Sequence, residues 1–336
     1  MKRKLLMATL GTSPAVITEA VDLLTEQKTR PDGILLFHTE DPDVKKSMEL
    51  LQEHLPQHCG IQWIIPISIG SYGDIDSTEA AVEFMEVVCA QLRAYRDSCS
   101  LFVNIAGGRK AMSALLVLAV QFYGAGRLFH IWVPPWLENE GEITELRNLP
   151  ESVILERLHP SLDRPAMDRP RLVDLPFISL FPMLSDIRGA LEGRDLASKE
   201  VKSFLVRTGL LTSQETPTPL GERVATILDR VEALPPARQE EPRVHIPPHH
   251  HKDRLERFAR ELLDYAPFIV EIRGEEWRRG RPGVHSRPPK ELILEVTLGT
   301  DILFRLRLVT TATTNGQLEA ARKGVERYVR RRESRL

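Results

Sequence analysis

The sequence predicts an α/β chain: a doubly wound parallel sheet over residues 1–150, a helical region over 175–235 and a small α+β region over 243–336. Three observations carry this. Up to Glu145 short apolar runs alternate with helix-length segments, and the runs are continuous, as strands are when helices cover both faces of their sheet. After Pro176 the order changes to short helices, and after Pro242 to one helix, several strands and a last helix. Two proline-rich stretches, 150–176 and 235–242, separate the regions and read as irregular connectors.

Taken in order, strands are expected at 4–10, 33–38, 62–69, 100–106 and 127–133, and helices at 14–26, 42–55, 77–95 and 109–123. The last helix is apolar nearly all round from Ala111 to Val120, which predicts a central, buried position. Short helices follow at 184–191, 196–198 and 201–206. Residues 209–221 then resemble the wing of a winged helix-turn-helix, closed by a helix through Leu234. Its recognition helix carries Lys199, Lys202 and Arg207 beside Glu200, and 182–234 holds 7 basic against 8 acidic residues. A DNA reader is normally more basic, so a spacer or dimerisation element is the better reading.

In the final region a helix over 252–266 places Leu255, Phe258, Ala259, Leu262 and Leu263 on one face, and a strand follows at 268–272. Residues 273–290 are polar, with Arg278, Arg279, Arg281, Arg287 and Lys290 and no acid between Arg278 and Lys290. The next two strands can be registered by hand. Pairing Leu298 with Ile302, Val296 with Phe304, Leu294 with Leu306 and Leu292 with Leu308 puts the large apolar residues on one face, across a turn of Gly299, Thr300 and Asp301. The other face then sets Arg305 against Glu295 and Arg307 against Ile293, leaving Arg307 without a partner. A capping box, Thr314-Asn-Gly-Gln317, starts a helix that turns Leu318, Ala321, Val325 and Val329 inward and Arg322, Lys323 and Arg327 outward.

Composition is that of an ordinary globular chain, 42% hydrophobic and 27% charged, with a formal net charge of −2. That balance conceals an acidic body, with 25 Lys+Arg against 34 Asp+Glu, and a basic tail from Arg243 onward, with 20 against 13. Such a split points to a nucleic-acid partner for the C-terminal region alone. Cys59, Cys89 and Cys99 are widely spaced, which excludes a disulfide framework or zinc ribbon and predicts a reducing compartment. The start is basic, but its apolar run breaks at Thr9. No stretch approaches the ~20 apolar residues of a membrane span, so no signal peptide and no membrane partner are expected and the location is cytoplasmic.

Two segments carry the clearest chemistry. Thr9-Leu10-Gly11-Thr12-Ser13-Pro14 and Ile105-Ala106-Gly107-Gly108-Arg109-Lys110 each break an apolar strand at glycine and pass straight into a helix. Each therefore aims backbone N–H groups at one spot, and at the carboxyl ends of a doubly wound sheet the two meet in one crevice. Two convergent helix N-termini favour a phosphate-bearing ligand over tight turns beside a solvated Arg-Lys pair. Neither segment has the Walker spacing or the three glycines of the dinucleotide fingerprint, which argues against an ordinary NTPase or dehydrogenase.

These two motifs resemble the ligand-binding loops of the CARF (CRISPR-associated Rossmann fold) family, over residues 1–150. The resemblance implies a homodimer that binds cyclic oligoadenylate, cyclic tetra-adenylate foremost, through Gly11, Thr12, Ser13, Gly107, Gly108, Arg109 and Lys110 of each protomer. It also implies slow ring cleavage in some members, with the Ser13 hydroxyl and the Lys110 charge orienting a ribose 2′-OH on its own phosphate; plain binding is the other reading.

A sensor needs an output. The size of 243–336, its helix-before-strands order, a three- or four-stranded sheet and an Arg/Lys-rich surface resemble the RelE family of ribosome-dependent mRNA interferases, although Glu291 and Glu295 stand where that family carries lysines. The resemblance implies cleavage of mRNA on the ribosome with no metal and no cofactor. A 2′-OH attacks the adjacent phosphate while side chains neutralise the phosphorane and protonate the leaving oxygen. Arg307 is the candidate for the phosphate and Lys290 adds charge; His285 or Tyr328 serves in proton transfer, because arginine is a poor proton donor. Arg278, Arg279, Arg281 and Arg287 would position the RNA.

Two other signals are discounted. Adjacent His249, His250 and His251 cannot all reach one ion, and Arg281-Pro-Gly-Val-His285 cannot form the helix that a HEPN ribonuclease motif needs. Three rival readings differ in class. A transcription regulator would act through the weakly basic winged helix. A metal-dependent nuclease of the restriction type would need an acid followed by Glu-x-Lys, which residues 304–311 lack. A stand-alone ring nuclease would leave the basic tail without a role.

Overall fold

In the computed structural model, the described residues are 2–70, 72–165, 167–194, 198–275, 282–298 and 303–333, with side chains described through 330. The chain divides into two compact units, Met1–Pro182 and Met183–Leu336.

The first unit alternates β1 (Arg3–Leu10), α1 (Ala15–Glu26), β2 (Gly33–His38), α2 (Pro42–His54), β3 (Trp63–Ser68), α3 (Thr78–Tyr95), β4 (Cys99–Asn104), α4 (Lys110–Tyr123) and β5 (Arg127–Trp132). Each lies within two residues of its expected place. Two short helices, α5 (Ile143–Leu146) and α6 (Glu151–Leu158), and a strand, β6 (Arg171–Asp174), follow. The sheet order is β3-β2-β1-β4-β5-β6, with β1 to β5 parallel and β6 antiparallel. This is a Rossmann-like α/β fold. Leu5, Leu6, Met7, Leu35, Leu36 and Val103 are fully buried, as continuous apolar strands between two helical layers must be.

Local chemistry sets the helix starts. Asp41 accepts from Asp43 N at 2.9 Å and Val44 N at 3.3 Å ahead of Pro42, and Ser77 accepts from Ala80 N at 3.2 Å. The helices that leave the glycine segments differ: neither Pro14 before α1 nor Arg109 before α4 caps with its side chain.

Two expectations need correction. The apolar helix α4 buries Met112, Leu116, Ala119, Val120 and Tyr123 but exposes Ala111, Ala114 and Leu118, the last by 46%. A helix lying on a sheet has one side to bury, whatever the other side carries. The stretch 150–176 is also no bare connector, because it supplies α6 and β6 and the unit runs to Pro182 instead of ending at 150. β6 is held to the sheet edge by side chains: Arg127 donates to both carboxylate oxygens of Asp174, at 2.5 and 2.9 Å, and Arg171 lies 4.1 Å from the Trp132 ring centre.

Histidines gather where α1, α2 and α6 meet. His54 Nε2 is 2.8 Å from His159 Nε2, and His159 Nδ1 is 2.7 Å from Asp22 Oδ2. Burial, with His159 and His58 nearby, pulls His54 down to about 4. Burial also pulls on His159, but hydrogen bonds to Asp22 and Cys59 outweigh it and raise that ring to about 9. His159 therefore contributes stability that is complete below its ordinary 6.5 and lost as pH rises toward 9, whereas His54 contributes above 6.5 and loses its share as pH falls toward 4. The expected result is a melting-temperature gap between the parent and His159→Gln that shrinks from pH 6.5 to 9. A gap that widens over that range would mean the ring is neutral in the fold.

The second unit begins with α7 (Leu184–Leu191), α8 (Lys199–Arg207) and α9 (Pro219–Glu232), packed around Leu184, Ile187, Val201, Leu205 and Leu228. Of the small helix expected at 196–198, residues 196 and 197 lie outside the described residues, and Ser198 instead caps α8, accepting from Val201 N at 3.3 Å. Between α8 and α9 a single β-bridge pairs Leu211 with Pro217. Lys202, expected on a reading helix, pairs with Glu215 at 2.9 Å.

β7 (Arg243–His245), α10 (Lys252–Tyr265), β8 (Ile269–Glu275), β9 (Gly283–Arg287), β10 (Glu291–Thr297), β11 (Leu303–Thr310) and α11 (Asn315–Glu333) complete it. The described strands form a five-stranded sheet, β7-β8-β11-β10-β9, where three or four strands were expected. The additional ones are short edge strands, β7 and β9, whose sequences carry little apolar alternation. The hand-built register holds for Val296–Phe304, Leu294–Leu306 and Leu292–Leu308, while the turn at 299–302 lies outside the described residues. Leu255, Phe258, Leu262, Leu318, Ala321 and Val325 from α10 and α11 share one core with Ile272, Leu294, Leu306 and Leu308. Gln317 N donates to Thr314 Oγ1 at 3.2 Å, and Gln317 Oε1 accepts from Thr313 N at 2.9 Å, so the capping box closes one residue further back.

Candidate functional site

The strand order places a switch point between β1 and β4, because connections from β1 run to β2 and β3 on one side and those from β4 run to β5 on the other. Doubly wound sheets bind ligands there, at the carboxyl ends of the strands. Both glycine segments sit at that point and touch. A Cβ on Gly11 would lie 3.2 Å from Gly108 Cα, and one on Gly107 only 2.3 Å from Thr9 O. Gly108, at φ +78, occupies the left-handed region that favours glycine.

Polar groups lock the two loops together. Thr9 Oγ1 donates to Gly107 O at 2.5 Å, and Ser113 Oγ donates to Ile105 O at 2.8 Å. Buried Asn104 accepts from Ala106 N at 3.0 Å and donates to Val16 O at 3.3 Å, tying the second loop to α1. A loop pair fixed in this way presents its N–H groups without reorganising.

The crevice thus collects Gly11, Thr12, Ser13, Gly107, Gly108, Arg109 and Lys110, but their side chains are not equivalent. Lys110 is exposed in the first turn of α4. Arg109 is half exposed and already faces two carboxylates, Asp41 at 3.5 Å and Asp74 at 3.4 Å. The Ser13 hydroxyl donates to Gly141 O at 3.3 Å, and Thr12 O accepts from Ile143 N at 2.7 Å. The segment after β5 is therefore part of the site, and sequence reasoning missed it. Gly141 was its signal: a Cβ there would lie 2.4 Å from Ala15 Cβ. Asp41 and Asp74 were missed as well, although the Glu40-Asp41-Pro42-Asp43 run marks the loop after β2 at the same sheet edge.

A second candidate site lies on the face of the five-stranded sheet turned away from its helices. Paired residues share a face, and the registers read across it in three rows. Arg243, Glu271, Val309, Glu291 and Arg287 form one; His245, Arg273, Arg307, Ile293 and His285 the next; Glu275, Arg305, Glu295 and Gly283 the third. The middle row holds four basic or imidazole side chains between two rows that carry glutamates.

This corrects the reading of Arg307 as unpartnered, because its Nη2 donates to Glu291 Oε1 on the diagonal of the register. Arg305 pairs with Glu275 at 3.2 Å and with Glu295 at 3.9 Å. His285 is on this face, 3.9 Å from Glu295, and Arg287 is 3.8 Å from Glu291. Lys290 is exposed in the turn between β9 and β10. Tyr328 is not brought to the site: its ring packs on the helical side, 4.6 Å from Tyr265 and 6.2 Å from Phe258. Arg278, Arg279 and Arg281 lie outside the described residues. His245 and Arg273 were missed, since their alignment with Arg307 exists only in the sheet register. So were Glu271 and Glu275, which β8 brings to the same face.

Residues 13–210 match the family described as CRISPR-associated protein NE0113 (Cas_NE0113), a span that takes in Ser13 and Gly107 to Lys110 and stops before the five-stranded sheet. No curated protein matches the chain. Among solved structures, Enterococcus italicus Csm6 bound to cyclic hexa-2′-fluoro-hexa-dAMP aligns with 69% of this chain and 55% of its own, at 15% identity and a TM-score of 0.39. The chain thus spans little more than half the length of that protein. With well over half of its residues matched, the chain belongs to the CRISPR-associated protein NE0113 family.

Proposed function

We propose that the chain is a CARF-type effector of type III CRISPR defence, in which the α/β unit binds a cyclic oligoadenylate and the C-terminal sheet cleaves RNA. The contact between Gly11 and Gly108 carries this reading, because it joins two uncapped helix N-termini and Lys110 at one switch point. Ring phosphates would take the N–H groups and Lys110, and ribose hydroxyls would meet Asp41 and Asp74. A ring with repeated phosphates suits two copies of the crevice. The exposed Ala111, Ala114 and Leu118 side of α4, which starts beside Lys110, offers a homodimer its contact. Cyclic tetra-adenylate is the proposed activator and the cytoplasm the proposed location; among the described residues no helix is long and apolar enough to cross a membrane. The segment 183–234 serves as a winged-helix spacer in this reading.

For the RelE-like output, the row His245, Arg273, Arg307 and His285 is the proposed phosphate track. Arg307 would hold the scissile phosphate, and His285 or His245 would carry the proton that arginine cannot. The proposed substrate is mRNA on the ribosome, cut by attack of the 2′-OH. Cleavage by this route is expected to leave a 2′,3′-cyclic phosphate and to survive EDTA so long as the ribosome itself is protected. A 5′-phosphate at the new end would instead mark a metal-activated water and refute this route. Translating ribosomes with and without cyclic tetra-adenylate test activation directly; RNA cut equally in both would refute the sensor.

A further inference from the structure

The α/β unit holds a second cluster of reactive side chains at the edge opposite the glycine loops. α1 runs back against the parallel strands, so Asp22 lies about 10 Å along the helix from its first residue, Ala15. Beside it are Cys59, the last residue of a π-helical turn after α2, Arg30 from the loop before β2, and His159 just past α6. Cys59 Sγ is 3.9 Å from His159 Nε2, and His159 Nδ1 is 2.7 Å from Asp22 Oδ2. All four line one cavity of about 480 Å³, with His58 on its wall. We propose that Cys59, His159 and Asp22 form a nucleophilic triad, a thiol site that takes a small anionic electrophile.

The geometry has the three parts that nucleophilic catalysis requires: a nucleophile within reach of an imidazole that a carboxylate orients. Asp22 accepts from Nδ1, which leaves Nε2 between His54 Nε2 at 2.8 Å and the sulfur at 3.9 Å. His159 is kept charged against burial by its hydrogen bonds to Asp22 and Cys59. His54, held neutral, offers the charged ring a second acceptor at 2.8 Å. Glu19, one turn before Asp22 on α1, is raised to about 8 by burial and by Asp22, so it adds little negative charge. Selectivity for an anion comes from Arg30, whose Nη2 donates to Cys59 O. Gly60, at φ +62, makes room for it, since a Cβ there would lie 2.9 Å from that nitrogen. In the reaction the sulfur attacks the electrophilic carbon, a C–S bond forms, and the leaving group departs with its bonding pair, taking the His159 proton where it is basic enough to need one.

Iodoacetate is the probe, used on the full chain with mass spectrometry to locate the adduct. Cys59 is expected to react at least roughly tenfold faster than free cysteine at pH 6.5, and faster than with iodoacetamide. Cys89 and Cys99 are buried, the Cys99 thiol raised by burial, and should stay unmodified. His159→Gln and Asp22→Asn should each slow the reaction by roughly tenfold or more, and Cys59→Ser should abolish it. The parent alone gives an independent readout: its rate should be nearly flat from pH 6 to 8, where that of a free thiol rises roughly tenfold per unit. A parental rate that follows free cysteine overturns the triad, whether or not the variants fold. A preference for iodoacetamide overturns the anionic ligand.

Discussion

Arg307→Ala is expected to slow activated RNA cleavage by roughly a hundredfold, the scale of losing one preorganised transition-state donor, and to leave cyclic tetra-adenylate binding unchanged. Arg307 stands in the middle of the basic row, between Arg273 on β8 and Ile293 on β10, at the position proposed for the scissile phosphate. Its removal should cost the fold little, because Glu291, to which it bonds, keeps Arg287 at 3.8 Å. Arg305 is the contrasting case. It bridges Glu275 and Glu295, so Arg305→Ala leaves two partly buried carboxylates facing one another and should chiefly lower stability, within the ~0.2–1 kcal/mol of cross-strand pairs. Melting temperature and single-turnover cleavage of both variants separate the roles. Parental cleavage by Arg307→Ala would move the reacting phosphate from Arg307 to the basic stretch from Arg278 to Lys290.

Lys110→Ala is expected to weaken cyclic oligoadenylate binding at least tenfold, since a hydrogen bond to a charged group contributes ~1.5–3 kcal/mol. Arg109→Ala should weaken it less. Arg109 is already neutralised by Asp41 and Asp74, so a phosphate must compete with both carboxylates for it, whereas Lys110 is exposed at the helix start. Because Lys110 sits in the first turn of α4 and caps nothing, its loss should leave the melting temperature within about a degree, as exposed substitutions usually do. Calorimetric titration with rings of four and six adenylates tests the pair. Unchanged affinity for every ring in Lys110→Ala would remove the crevice from consideration, and a larger effect from Arg109 would mean that its carboxylate pairs open on binding.

The α/β half was legible because its signals are local. Continuous apolar runs mark strands buried on both faces, and Gly11, Gly107 and Gly108 mark turns where backbones must meet, so sheet and crevice follow from patterns a few residues long. The hairpin register was equally legible: a slip of one residue would turn Leu292, Leu294 and Val296 to solvent. That register, read from the sequence, sets Arg305 against Glu295 and Arg307 against Ile293.

What the chain alone could not show depends on side chains meeting across long separations. Arg127 reaches Asp174 and turns a proline-rich stretch into an edge strand; Gly141 folds over Ser13; Asp41 and Asp74 claim Arg109. On the five-stranded sheet, Arg307 found Glu291 by a diagonal contact, and His245 joined its row through a parallel strand added at the edge. The sequence by itself determined the strands, the glycine turns and the apolar register, since those follow from burial and backbone sterics acting on near neighbours. Tertiary structure alone decided which charges are spent and which face outward, because an ion pair is set by distance in space and carries no periodic mark in the chain.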